Sequence, residues 1–129
     1  MGLLDTSVLI AAESGRALDE SALPEKLAVS VITIAELHAG IYAAPDTETR
    51  ASRLATLDSI SGLIALPVDE AAAHEWARLR FRLAESKRRI NVNDLWIASI
   101  ALANGLPVVT QDNDFEALDG LGGPTVIRV

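Results

Sequence analysis

Short apolar, β-branched runs alternate along the chain with longer stretches whose apolar positions recur every three or four residues. Gly2–Leu4 is apolar and stopped by Asp5, and reads as a strand feeding a helix from Thr6 to about Glu13. Leu27–Ile32 (LAVSVI) is a second strand. Thr33-Ile-Ala-Glu36 has the spacing of a capping box, opening a helix that runs to Gly40 or a little beyond. From Asp46 to Ile60 the apolar side chains fall at 51, 54, 57 and 60, a helical stripe. Leu63–Val68 reads as a strand, and Pro67 points to a sheet edge or a strand end. Asp69 to about Lys87 is the longest helix, with Ala72, Trp76, Leu79 and Leu83 on one face. Asn93 is expected to cap a helix of Asp94–Asn104, which Gly105 stops. Pro107–Thr110 and Thr125–Val129 supply the closing strands.

Strands separated by helices call for parallel pairing, because a parallel connection needs a crossover long enough to hold a helix. The expectation is an α/β fold, an α/β/α sandwich around a mostly parallel central sheet. No repeat or linker divides the chain, so residues 1–129 form a single domain. A chain of this length buries roughly two thirds of its unfolded surface.

Composition narrows the chemistry. There is no cysteine, which excludes disulfides, thiolate zinc sites and a cysteine nucleophile. The start, MGLLDTSVLIAAE, has no basic leader and its apolar run is broken by Asp5. No signal peptide and no membrane span are therefore expected, and the expectation is a soluble cytoplasmic protein. The formal charge of −7 argues against a general electrostatic grip on nucleic acid, yet six of the eleven basic residues fall between Arg78 and Arg89.

The acids are also placed unevenly. Ligands of open α/β sheets bind outside the carboxyl ends of the strands. Asp5 ends the first strand, Glu36 lies a turn beyond the second, Asp94 opens a late helix, and Asp112 and Asp114 come after Val108–Thr110 in VVTQDNDF. Singly, each has an ordinary reading: Asp5 as a helix cap, Glu36 as the returning half of the Thr33 box, Asp94 as a dipole partner, Asp112 and Asp114 as turn residues. Together, five carboxylates at one sheet edge repel each other unless a cation compensates them. An all-oxygen ligand set suits Mg²⁺ or Mn²⁺. His38 and His74 have no zinc spacing, no GxSxG elbow occurs, and Gly120–Gly123 (GLGG) precedes a strand instead of opening a helix, so it is a turn. Trp76 and Trp96 sit on helical stripes as core or interface residues.

LLDTSVLIA, TIAELHAG and NDLWIASIALANGLPVVTQDNDF together resemble the PIN-domain nuclease family, in particular the VapC toxins of bacterial toxin–antitoxin pairs, over essentially the whole chain. The resemblance implies a sandwich around a parallel sheet, acid-held Mg²⁺ or Mn²⁺, and endonucleolytic cleavage of RNA. It also implies a cognate VapB-type antitoxin and a homodimer. Its acidic positions match Asp5, Glu36, Asp94 and Asp112, with Asp114 as an accessory acid, and leave open which of the last two ligates directly. Thr6, Ser7 and Thr110 match the small hydroxyls lining such sites.

Two further expectations concern the substrate and the rivals. Arg78, Arg82 and Arg89 share a helical face at i, i+4 and i+11, suited to RNA phosphates; the alternative is a solvated face with a Glu85–Arg89 pair. A phosphotransfer domain would need paired acids at the first strand, where only Asp5 stands before Thr6 and Ser7. A non-catalytic module whose acid pocket receives a basic partner is the other alternative.

Overall fold

A computed structural model describes all residues from Met1 to Val129. Five parallel strands form one sheet: β1 (Gly2–Leu4), β2 (Leu27–Ser30), β3 (Ile64–Leu66), β4 (Val108–Thr110) and β5 (Val126–Arg128), in the order β3-β2-β1-β4-β5. Every pairing is parallel, so the sheet is wholly and not just mostly so. Five helices cover it: α1 (Thr6–Glu13), α2 (Val31–Tyr42), α3 (Thr47–Ser59), α4 (Glu70–Glu85) and α5 (Val92–Ala103). None is long and apolar enough to cross a membrane.

The period-2 alternation of the central strands divides the core in two. Leu3, Ala28 and Val108 face α4 and α5, packing with Leu79, Leu83, Ile97 and Ile100. Leu4, Val29 and Val109 face the other way, against Val8, Leu9 and Leu37. Burial on both faces explains why these strands are continuous apolar runs with no polar alternation. β3 and β5 are the edges, and their side chains are largely exposed. Pro67 comes just after the edge strand β3, where a missing N–H is harmless.

Three local boundaries differ from expectation, each for a hydrogen-bonding reason. Val31 and Ile32 belong to α2 and not to the strand, because the buried Ser30 side chain accepts the Thr33 N–H (3.2 Å) and starts the helix three residues earlier than a Thr33 box would. At α5 the cap is Asn91 and not Asn93: its side chain accepts the Asn93 N–H at 2.8 Å. α4 ends at Glu85, where Lys87 adopts φ 57° and the N–H groups of Lys87 and Arg88 return to the carbonyls of Ala84 and Leu83. That is a Schellman closure with lysine in the left-handed position glycine usually takes. Arg89 therefore lies beyond the helix, outside any i, i+11 face.

The chain order makes the site. From β1 the sheet grows through β2 and β3 on one side and through β4 and β5 on the other, so the strand order reverses between β1 and β4. At such a switch point the loops leaving the strands part and open a crevice. Asp5 leaves one of these two strands and Gln111–Asp114 leaves the other.

Candidate functional site

The crevice is a cavity of about 240 Å³ lined by Asp5, Glu36, Asp94, Asp112 and Asp114, with Thr6, Ser7, Ile10 and Asn91. All five acids singled out in the sequence line it, and no lysine or arginine does. Neither of the two ion pairs in the molecule involves any of them.

Asp5 is buried, at 3% exposure, and occupies the cap position before α1 without making a side-chain capping bond. Its carboxylate instead accepts the Ser7 hydroxyl (2.6 Å) and the Thr110 hydroxyl (2.9 Å), both at Oδ2. Those hydroxyls are held from behind: the Gln111 N–H donates to Ser7 Oγ and the Asp112 N–H to Thr110 Oγ1. The residue that follows β1, one from α1 and one from β4 are thus tied together through Oδ2 of Asp5. Burial pushes the Asp5 carboxyl above its ordinary value, the two hydroxyls pull it back, and the Asp112 charge raises it further.

Glu36 is oriented by a second relay. Thr6 Oγ1 donates to Glu36 Oε1 at 2.8 Å and lies 2.9 Å from the hydroxyl of the fully buried Thr33. Since the Thr6 proton goes to Glu36, Thr33 is the donor of that contact. Glu36 returns to no backbone amide, so the box reading of Thr33 and Glu36 fails and both residues serve the cavity side of α2. In the sequence Thr33 is legible only as a cap, and Asn91 is masked by Asn93, which offers the same capping signal.

Asp94 stands in the first turn of α5, half-buried. Its carboxyl is pushed up to about 7, first by burial and then by the charges of Asp5, Asp114 and Asp112. Asp112 keeps part of its turn role, accepting the Asp114 N–H at 3.1 Å. Behind it, Phe115 and Leu118 of a 3-10 turn (Asp114–Leu118) enter the core and fix the loop. No three acids close into a ready coordination shell by themselves. A small hard cation bound by few carboxylates, its remaining positions filled by water and substrate oxygens, fits such a cavity. The donors are all oxygen, the pocket carries uncompensated negative charge, and both features match Mg²⁺ or Mn²⁺.

The arginines lie elsewhere. Arg78 donates to Glu75 and to the carbonyls of Leu121 and Gly122, and Arg82 to the carbonyl of Leu121 (3.0 Å). The φ of +77° at Gly122 favours glycine there, and a Cβ would come within 2.8 Å of the Arg78 guanidinium, which would have to shift. Arg78 and Arg82 hold the turn into β5, and because Arg89 lies beyond the end of α4 the three do not share the single helical face expected from their spacing. The Glu85–Arg89 pair of the alternative is not made either. Trp76 and Trp96 stack on each other at 4.9 Å between α4 and α5.

Comparison with known proteins agrees with this fold. A family model for the PIN domain matches residues 2–121. The chain is 57% identical to ribonuclease VapC5 of Mycobacterium tuberculosis, over 99% of this chain and 95% of that protein. It is 39% identical to ribonuclease VapC4 of the same organism, over 90% and 89% of the two chains. Among solved structures it is similar to VapBC-5 from Mycobacterium tuberculosis, a member of the VapBC family of toxin–antitoxin systems, with a TM-score of 0.92 and 54% identity. That match covers 99% of this chain and 98% of the other.

Proposed function

The chain belongs to the PIN-domain family, among the VapC ribonucleases, and from that premise we propose that it is a metal-dependent endoribonuclease acting as the toxin of a toxin–antitoxin pair. The observation that carries the metal dependence is the cavity itself: five carboxylates, no cation among the lining residues, and an Asp94 carboxyl raised to about 7 by burial and its acidic neighbours. Such a site is stable in its ionised form only with an added positive charge. The high identity to named ribonucleases supports RNA as the substrate, and hence a cytoplasmic site of action.

Asp5, Glu36, Asp94 and Asp112 would hold Mg²⁺ or Mn²⁺, with Asp114 as an accessory acid. A bound ion supplies Lewis-acid polarisation of the scissile phosphate and a lowered pKa for the attacking water. Ser7 and Thr110 fix the Asp5 carboxylate at Oδ2, and Thr6 fixes Glu36 at Oε1. Asp94 or Glu36, both lining the cavity, would orient or deprotonate the attacking water. The solved VapBC-5 relative supports a VapB-type antitoxin as partner. An acid cavity without its own cation is a natural receptor for an arginine or lysine carried by that partner.

The deciding experiment is cleavage of RNA by purified protein with Mg²⁺ or Mn²⁺ and with chelator. Cleavage is expected only with metal, and Asp94→Asn is expected to abolish it while circular dichroism shows a folded chain. Undiminished cleavage in chelator, or by Asp94→Asn, would refute the metal reading and favour the non-catalytic module or another chemistry.

A further inference from the structure

Of the eleven basic side chains, Arg53, Arg78, Arg82, Arg88 and Arg128 donate hydrogen bonds to the protein itself. The other six, Arg80 and Arg89 among them, make no side-chain hydrogen bond and no ion pair, and Arg80 and Arg89 are both exposed. They line one pocket of about 280 Å³ at the end of α4 and the start of α5, over an apolar floor that includes Leu83, Ile90 and Leu95. Arg80 is not loose: its guanidinium lies over the Trp76 ring, 5.2 Å from the centroid, with the second tryptophan stacked behind. A guanidinium resting over an aromatic ring is partly immobilised and keeps its N–H donors for other partners. Arg88 in the same pocket is tied to the Asp119 carbonyl at 2.5 Å.

The pocket adjoins the acid cavity. Ile90 and Val92 line the arginine pocket, while Asn91 between them lines the cavity that holds Asp94. We propose that a single-stranded stretch of RNA is held here, with phosphates on Arg80 and Arg89 and an unstacked base or ribose over the apolar floor, and passes Asn91 into the acid cavity. The inference rests on the nuclease reading for the cleavage step at the acids, but the binding surface stands on its own observations. Charge complementarity selects the occupant. In a chain of net charge −7, two unengaged guanidinium groups beside an apolar depression suit a polyanion with flat, partly apolar bases. Arg78 and Arg82, by contrast, donate to the turn at Leu121 and Gly122 and line no part of this pocket.

The test is fluorescence anisotropy of a fluorescein-labelled, mixed-sequence single-stranded RNA in chelator, over a series of salt concentrations. Wild type is compared with the double variant Arg80→Ala/Arg89→Ala and with Arg78→Ala/Arg82→Ala, and each is melted to check its fold. Losing two phosphate contacts should flatten the salt slope by about 1.4, at ~0.7 per phosphate for single strands, and weaken binding at least about tenfold. The Arg78/Arg82 variant should keep the wild-type slope and melt lower. With metal added, Arg80→Ala/Arg89→Ala should raise KM while largely sparing kcat. Unchanged affinity and slope in the Arg80/Arg89 variant, or no RNA binding by wild type, overturns the proposal. So does a shift from dimer to monomer in that variant with RNA affinity intact, which would give the pocket to a second copy of the chain. Arginine-dependent binding without metal-dependent cleavage would instead remove the nuclease reading and leave the surface standing.

Discussion

Burial and three neighbouring carboxylates hold the Asp94 carboxyl near 7, against 3.8 for an ordinary aspartate. The folded chain therefore keeps a proton that the unfolded chain gives up between about pH 4 and 7. The associated stability is fully present below the unfolded pKa and is lost as pH rises through about 7. Asp5, also raised, acts in the same direction. In chelator, Asp94→Asn should thus melt above wild type at pH 8, with the difference shrinking towards pH 5. Equal differences at both pH values would mean that the carboxylates do not interact. Asp112→Asn should also raise the metal-free melting temperature, because an asparagine oxygen can still accept the Asp114 N–H while the charge facing Asp94 disappears. Activity should fall in the same variant. The buried Thr33 hydroxyl serves through Thr6 alone, so Thr33→Val should cost about 1 kcal/mol, roughly 4 °C in a domain of this size, read by thermal melts.

Elements are set by their ends. At α5 the capping assignment is checked by a pair of variants: Asn91→Ala should cost about 1 kcal/mol, whereas Asn93→Ala should cost a few tenths. The reverse order would restore Asn93 as the cap. At α4, Lys87 carries the strain of a left-handed residue, about 1–2 kcal/mol, which glycine would relieve at an entropic cost of about 0.5–1 kcal/mol. Lys87→Gly should accordingly raise stability by about 0.5–1 kcal/mol in denaturant unfolding. A loss instead would mean that Lys87 makes a compensating interaction. The same closure of α4 directs Arg89 off the helix and into the pocket with Arg80, so the element's stop decides which arginines are available to a polyanion.

On the scale of the molecule, the five cavity acids account for most of the charge: the remaining thirteen acids nearly balance eleven bases. Metal that binds only the folded state should stabilise wild type by about 2.7 kcal/mol at ~100-fold over its dissociation constant, and Asp112→Asn by less. Melts with Mg²⁺ and with chelator measure both shifts. No Mg²⁺ shift in wild type, together with a lower metal-free melting temperature for Asp112→Asn, would mean that the acids do not act as one site.

Fold class and the acid set were legible in the chain because each rests on a local signal. β-branched runs alternating with 3.6-residue stripes specify strand and helix, and crossovers of helical length force parallel pairing. Asp5, Asp112 and Asp114 lie just past strand ends, Asp94 stands in the first turn of α5 and Glu36 a turn into the helix after β2, and the carboxyl ends of parallel strands share one edge. Relations between distant segments had no such signal. Whether Ser30 or Thr33 begins α2 depends on which hydroxyl the packed helix leaves facing an amide, and Thr33 turns to Thr6 only because β1 and β2 are neighbours. Whether an arginine meets solvent or a carbonyl depends on where residues 117–122 fold back against α4. A stripe of cations specifies a face, but the donors on that face go to whatever acceptors the tertiary fold places within reach.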